Sequence, residues 1–419
     1  MARVVGSRYG IVRRCIEFPG GDGLPRIHTW VAQGPRRIPG WSFRDPPDGT
    51  GVSADTDLAR LASVAEAVER YSSMAPLDPA LVVRASFAEL GASAVAPRAF
   101  ARMSSVQHAR FPKVKPFTDD KVVDWCWAFS LTRGVPVRVP AALVYFSSGG
   151  SPPNDFSAEM VSSGFACHVS LPHAALTGLC EVLERDALSV AWHNRLPLTP
   201  LLADASVEEL AAEALGGCGV RLSLFRVPTD SPFPVVLALA RSDERTPHAV
   251  VGIACRSDPI AAAVKALCEV CQILPRFRVR PPTPPARLRE LADHASFYAT
   301  AEGARLLDRH LVVAAGAAHP LESLATVGVG SAPHDLAAGV AALERVGLEV
   351  LVVEVTTPDV AQAGFCVLRV LVPGTLDMCA DPRFPQLGTP RLYELPVRLG
   401  LHRRPVPESR LNRLPIPLA

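Results

Sequence analysis

Three stretches of this chain set acidic or amide side chains at helical spacing beside an arginine. They are Glu66-Ala-Val-Glu69-Arg70, Glu181-Val-Leu-Glu184-Arg185, and Glu269-Val-Cys-Gln272 followed by Arg276. Residues three, four and seven apart share one face of a helix, so each stretch presents its polar groups from a single side. One Glu-x-x-Glu-Arg is ordinarily a solvated face with ion pairs worth only a few tenths of a kcal/mol. Here the charges interrupt the apolar runs Leu61-Ala-Ser-Val-Ala65 and Leu176-Thr-Gly-Leu-Cys180, which points to partial burial. Carboxylates out of water are costly unless they are paired or hold cations. If the three helices converge, a Mg²⁺–polyphosphate suits them, with Glu for the hard metal and Arg for the phosphate oxygens.

Patterning supplies the helices that must carry these groups. The first is expected over residues 56 to 73, after the turn-rich Asp45-Pro-Pro-Asp-Gly-Thr-Gly51. The second runs from about Pro172 to His193, and Asp258-Pro259 opens the third, with Pro in the first turn where it is tolerated. A further helix is expected over Asp335 to Val346. Strand-like runs occur at Gly10-Ile-Val-Arg13, His28-Thr-Trp-Val-Ala32, Val122 to Leu131, Val137 to Tyr145, Val220 to Arg226, Val235 to Ala240, Ala249 to Cys255, Glu349 to Val355 and Val367 to Val372. Ser147 to Asn154 reads as a loop, and Pro281-Pro-Thr-Pro-Pro285 as a linker or surface loop. Helices and strands alternating across long gaps indicate an α+β, or mixed α/β, fold.

The 419 residues, 48% apolar and 20% charged, suffice for one large or two ordinary domains. A formal charge of +2 argues against an overall polyanion-binding surface, so no nucleic acid is expected. No apolar run reaches membrane-spanning length and no secretory h-region opens the chain, so the expected location is cytoplasmic, with the ten cysteines reduced. Cys268-Glu-Val-Cys271 has no second pair at zinc-finger spacing and is read as buried helix cysteines. No lysine follows a glycine-rich turn, which excludes a P-loop, and GxGxxG, GxSxG, HExxH and kinase signatures are all missing. A nucleotide site here must use side chains on helices. Cys167-His168 is read as ordinary packing, and Asp186 as bracing the neighbouring helix arginine.

At the level of motifs, Ala65-Glu-Ala-Val-Glu-Arg-Tyr-Ser72, Gly178-Leu-Cys-Glu-Val-Leu-Glu-Arg-Asp-Ala187 and Ala266-Leu-Cys-Glu-Val-Cys-Gln272-x-x-x-Arg276 resemble the three signature helices of YcaO-domain proteins. Arg138-Val-Pro-Ala-Ala-Leu-Val-Tyr145, Ser163-Gly-Phe-Ala166, Val355-Thr-Thr-Pro-Asp359 and Val370-Leu-Val-Pro-Gly374 match in the same order. The resemblance implies a YcaO domain over residues 43–400, with a strand-rich segment over 1–42 before it and an extended Pro/Arg-rich tail over 401–419. It implies a YcaO-type fold, helices carrying an ATP and Mg²⁺ site on β-sheets, and activation of a peptide-backbone amide.

Carried over by position, Glu66, Glu69, Glu181 and Glu184 are the metal-binding acids. Ser63, Arg70, Arg185, Lys265, Glu269, Gln272 and Arg276 are the nucleotide contacts, and Glu184, Arg185 and Arg276 are also catalytic. Ser63 sits one residue closer to the first Glu than the family serine. Ala166, Val169 and His173 stand where some relatives carry Ser, Asn and Glu, a departure from the family pattern.

Azoline-forming relatives often end in PxPxP. This chain ends Pro415-Ile-Pro417-Leu-Ala419, retaining PxP and losing the last proline. The resemblance therefore implies a cyclodehydratase acting on Cys, Ser or Thr of a ribosomal precursor peptide, with the Ala419 carboxylate or His173 as candidate base. The length implies that a separate leader-peptide-binding partner, ubiquitin-activating-like or related, delivers the peptide; a homodimer is also open. Two other readings stay open: the same ATP chemistry forming a thioamide or macrocyclic amidine, and an accessory subunit whose nucleotide site has decayed. The tail could equally be an arm that docks a partner.

Overall fold

The structure, a computed structural model, describes residues 3–418 apart from 9, 39–40, 42–45, 101, 147–161, 280–281, 283–287, 289–290, 326, 380 and 382–383. The loop expected at Ser147 to Asn154, almost all of the Pro281–Pro285 linker, and Ala419 lie outside the described residues.

Among the described residues, three β-sheets and three long helices form an α+β architecture. The first sheet joins β1 (Arg14–Glu17), β2 (His28–Gln33) and β3 (Gly49–Ser53) in that order, antiparallel. The second contains β4 (Val82–Ser86), β5 (Val122–Ser130), β6 (Val135–Pro140) and β7 (Phe165–His168) from the first half of the chain. The third runs β11 (Ala249–Cys255), β10 (Val235–Arg241), β9 (Arg221–Arg226), β8 (Thr199–Leu202), β12 (His319–Pro320). Late in the chain, β13 (Leu351–Glu354) and β14 (Cys366–Leu371) return to the second sheet, whose order is β4-β5-β13-β14-β7, with β6 paired to β5. The run at Gly10–Arg13 is not a strand; its Val12 makes only an isolated bridge to Val5, and the ladder begins at Arg14.

The first motif helix is Thr56–Ser73, capped by Asp55, whose carboxylate accepts the amides of Asp57 and Leu58. It packs on β2 and β3 and reaches β7 and β14. The central helix, Leu171–Asn194, is buried on nearly every face from Leu179 onward. Such an all-round apolar helix needs cover on all sides. It receives it from β7 and β14 on one flank, β11 on another, and the helix Ala332–Arg345. The third motif helix, Pro259–Val279, lies on β10 and β11 and also touches β3. Its start is held by the Asp258 carboxylate, which accepts the Ala261 amide at 2.7 Å. Helices on both faces explain why β10 and β11 read as continuous apolar runs without alternation.

Two glycines set how closely motif helices approach strands. A Cβ on Gly51 of β3 would overlap the Ala59 carbonyl and stand 2.5 Å from the Ser63 amide of the first motif helix. A Cβ on Gly252 of β11 would overlap the Ala266 carbonyl and stand 3.0 Å from Glu269 Cβ. Gly51→Ala is therefore expected to push the first motif helix off its sheet, at about 1–3 kcal/mol of stability. A thermal-unfolding midpoint equal to that of the parent would count against this.

The C-terminal segment is built into the fold. Arg391 in the helix Arg391–Arg398 pairs with the buried Asp186 at 2.8 Å and also with Asp230. Asp186 further accepts the Leu376 amide at 2.9 Å. Asp186 thus tethers Arg391, and not the adjacent Arg185 as the sequence suggested; Arg185 pairs instead with Glu184 and Glu181. Beyond it, His193 Nδ1 lies 2.8 Å from the Asn412 carbonyl, and Trp192 and Tyr298 donate to the carbonyls of Leu414 and Pro415. Leu411, Ile416 and Leu418 are buried against the same core. No helix among the described residues is long and apolar enough to cross a membrane.

Candidate nucleotide and metal site

Each motif helix aims its leading glutamate at a backbone amide of a neighbouring strand or of the residue just before one. Thr50 N donates to Glu66 Oε2 at 2.7 Å, Gly164 N to Glu181 Oε2 at 3.2 Å, and Ile253 N to Glu269 Oε2 at 3.2 Å. In two of the three, the donor follows or precedes a glycine that lets helix and strand come close, Gly51 beside Thr50 and Gly252 beside Ile253. Glu184, one turn beyond Glu181, accepts the Cys255 amide of β11 at 3.1 Å. The central helix is therefore tied through its carboxylates to both larger sheets.

Cations answer these acids along the helices. Arg70 pairs with Glu66 at 2.7 Å, Lys265 with Glu269 at 3.4 Å, and Arg185 with Glu184 at 2.8 Å and Glu181 at 3.5 Å. Arg70 is exposed, whereas Arg185 is largely buried and occupies the middle of the cluster.

Electrostatics links the three helices. Burial raises Glu69 well above the usual carboxylate range, and the carboxylates of Glu181 and Glu66 add to it against Arg70 and Arg369. Glu184, 4% exposed, is pushed up to about 8, first by burial, with Arg185 opposing and Glu269 and Glu181 reinforcing. Glu181 is raised by burial, against Arg185. Burial acts against the charge on Arg185, but Glu184, Glu181, Glu269 and Asp377 outweigh it and hold the guanidinium more firmly protonated. A chain of mutually repelling carboxylates thus runs from Glu66 and Glu69 through Glu181 and Glu184 to Glu269.

Other expected residues fall elsewhere. The hydroxyl of Ser63 is buried and donates to the Arg60 carbonyl at 2.8 Å, where the helix meets β3. Gln272 is half-buried one turn beyond Cys268, and Arg276 is exposed near the end of its helix. Cys268 and Cys271 are buried apolar-side residues of the third motif helix. His173 is exposed and stacks on His168, ring centroids 4.5 Å apart, while Cys167 on the opposite strand face feels Glu69.

Two residues of the cluster escaped the sequence reading. Arg369 of β14 is buried near Glu69, Glu181 and Asp377, and Asp377 accepts a 2.6 Å hydrogen bond from Ser163 Oγ. An arginine inside the apolar run Val367-Leu-Arg-Val-Leu-Val372 was the available signal, since such a charge needs buried partners. Asp377 carries no local signal.

These residues suit Mg²⁺ with a polyphosphate. Their oxygen donors are hard, and burial, with neighbouring carboxylates adding to it at Glu69 and Glu184, raises them against the arginines. Among the described residues no three acidic, His or Cys side chains already stand close enough to hold one ion. A cation would therefore have to draw carboxylates of neighbouring helices together.

The same shifts set a pH dependence. Between its ordinary 4.5 and about 8, folded Glu184 keeps a proton that the unfolded chain has released. The contribution is complete below the unfolded value and is lost as pH rises through the folded one. Glu69, Glu181 and Asp377 shift in the same direction. In chelator, the Glu184 contribution should lower the unfolding midpoint as pH rises from about 4.5 towards about 8; a midpoint no more pH-dependent than that of Glu184→Gln would contradict this assignment.

Among known proteins, the fold is similar to a heterocyclase solved in complex with substrate and cofactor, with a TM-score of 0.82 over 99% of this chain and 56% of that one at 24% identity. It is also similar to YcaO from Methanopyrus kandleri bound with AMPPCP and Mg²⁺, with a TM-score of 0.65 over 87% and 86% of the two chains at 22% identity. In sequence, an uncharacterized protein in the tfuA 3' region of Rhizobium leguminosarum bv. trifolii is 28% identical over 236 residues, 53% of each protein. The match thus spans about half the length of that relative, and the chain about half of the heterocyclase. The family model described as YcaO cyclodehydratase, ATP- and Mg²⁺-binding, matches residues 50–376, which take in all three motif helices and β14. Most of the chain lies within that match, and the protein belongs to the YcaO family, whose cofactors are ATP and Mg²⁺.

Proposed function

We propose that the protein is an ATP-dependent cyclodehydratase that converts Cys, Ser or Thr of a ribosomal precursor peptide into thiazoline or oxazoline. The observation that carries this reading is the run of carboxylates along three helices, with Arg185 among Glu181 and Glu184 of its own helix and Glu269 of the third. In the reaction, the side-chain sulfur or oxygen attacks the preceding amide carbon and loses its proton. The former carbonyl oxygen takes the γ-phosphoryl group of ATP, releasing ADP. Collapse breaks the C–O bond, phosphate leaves, and the amide nitrogen gives up its proton to form C=N.

Glu66, Glu69, Glu181 and Glu184 would hold Mg²⁺, which neutralises the phosphate oxygens when bound. Arg185, paired with Glu181 and Glu184, would turn to a phosphate once a metal takes over those carboxylates. Arg70 is exposed beside Glu66 and offers a second guanidinium. Lys265, beside Glu269 and half-exposed, is a further cation for the phosphates, and Gln272 an amide for the nucleotide. Arg276 would have to reach the nucleotide from the exposed end of its helix. A separate leader-binding protein is the proposed delivery partner.

The test is mass spectrometry of a candidate precursor peptide incubated with the protein, Mg²⁺-ATP and the leader-binding partner. Loss of one water at a Cys, Ser or Thr, localised by fragmentation, supports the proposal. Exchange of oxygen for sulfur would replace it with thioamide formation. Absence of nucleotide binding would replace it with the accessory-subunit reading.

A further inference from the structure

We propose that Arg369 is a positioning residue, a resident cation on β14 that holds Glu69 of the first motif helix and Glu181 of the central helix near one another before any metal arrives. It belongs to none of the three motif helices. This rests on the reading that the cluster receives Mg²⁺-ATP, although its central test needs neither.

Arg369 is 4% exposed and lies in register with Phe165 of β7, its guanidinium carbon 4.5 Å from the Phe165 ring centre. Its Nη1 donates to the Ser163 carbonyl. The next residue, Val370, donates its amide to the Gly164 carbonyl at 2.7 Å. Together they fix the Ser163–Gly164 turn from both side chain and backbone. That turn offers Gly164 N to Glu181 at 3.2 Å and Ser163 Oγ to Asp377 at 2.6 Å. Arg369 thus acts on Glu181 through the turn as well as by its charge.

The charge has a clear task. Glu69 and Glu181 sit on different helices, and when both are ionised they repel each other. Burial disfavours the guanidinium, and the three carboxylates of Asp377, Glu181 and Glu69 sustain it. A cation shared by acids from separate elements lets those elements stay packed, which neither acid's own helix can supply.

The experiment is a charge cycle read by thermal unfolding in chelator, using the parent, R369M, E69Q and E69Q/R369M. The R369M midpoint should fall by several degrees. E69Q/R369M should recover much of that loss, because one of the repelling charges has gone. R369K should keep most of the parent midpoint. Adding Mg²⁺ with a non-hydrolysable ATP analogue should narrow the R369M deficit as metal takes over the neutralising role. A double variant no more stable than R369M, with a deficit unmoved by Mg²⁺, would overturn the proposal and leave Arg369 as packing. If R369M does not fold, folded E69Q/R369M carries the same support, and an unfolded double variant beside a folded E69Q overturns it. A parent protein that fails to bind the Mg²⁺–nucleotide analogue would sink the proposed function and leave the chelator cycle to decide Arg369 by itself.

Discussion

Glu184→Gln is expected to leave a folded protein whose peptide-dependent ATP turnover falls about 10²–10³-fold, the range for losing one group that stabilises developing charge. The carboxylate is buried, and its ionised form is opposed by burial and by Glu269 and Glu181. Glutamine keeps an oxygen to accept the Cys255 amide, so the link to β11 survives. It removes an acid whose ionised form the metal-free fold opposes, so the unfolding midpoint in chelator should stay level, or rise where pH exceeds about 8. A site residue that lowers stability while supporting turnover is the expected signature of strain kept for function. Phosphate release with the precursor peptide, measured beside thermal unfolding, separates the two effects. Parental turnover in this variant would remove Glu184 from the metal site.

Arg185→Ala should act on both quantities together. Arg185 lies 2.8 Å from Glu184 and 3.5 Å from Glu181, and only 15% of its side chain is exposed. Truncation leaves these acids without their nearest cation, which for a buried pair costs about 3–5 kcal/mol. The lower end is the better guide here, because Glu184 can take up a proton near neutral pH. Turnover should be lost as well, since the guanidinium is the central candidate for the phosphates. Arg185→Lys should retain part of the stability but little turnover, because one ammonium does not reproduce a planar fork. Denaturant unfolding gives the check: Glu184→Gln added to Arg185→Ala should restore much of the midpoint. An Arg185→Ala variant as stable as the parent would show that the cluster does not depend on this pairing.

Long elements with strong periodicity were legible in the residues. The helices expected over 56 to 73 and about 172 to 193 are Thr56–Ser73 and Leu171–Asn194, and Asp258-Pro259 does open the third. Caps and first-turn proline are local devices, so they can be read locally. Short or context-dependent elements were missed. The strands Val82–Ser86 and Thr199–Leu202 went unread, as did the helices Ala205–Leu215 and Ala301–His310. The Gly10–Arg13 run has the composition of a strand but no ladder partner beyond one bridge. A strand exists only when a second one pairs with it, and that depends on distant residues.

The candidate site divides in the same way. From the chain alone it followed that Glu66 and Arg70, Glu181 and Glu184, and Glu181 and Arg185 would meet as i,i+3 or i,i+4 pairs, because the helical period belongs to the backbone itself. The order of residues also determined that this negative charge would have to be paired or hold cations, since apolar neighbours bury it. Tertiary structure alone decided that Glu69 feels the charge of Glu181, that Glu184 reaches the amide of Cys255, and that Asp186 serves Arg391 instead of Arg185. It also brought in Arg369 and Asp377 from late in the chain. Those relations depend on how closely three helices and two sheets approach, which is set at contacts such as Gly51 against Ala59 and Gly252 against Ala266. Local periodicity says which way a side chain leaves its own helix, but only packing says what it meets.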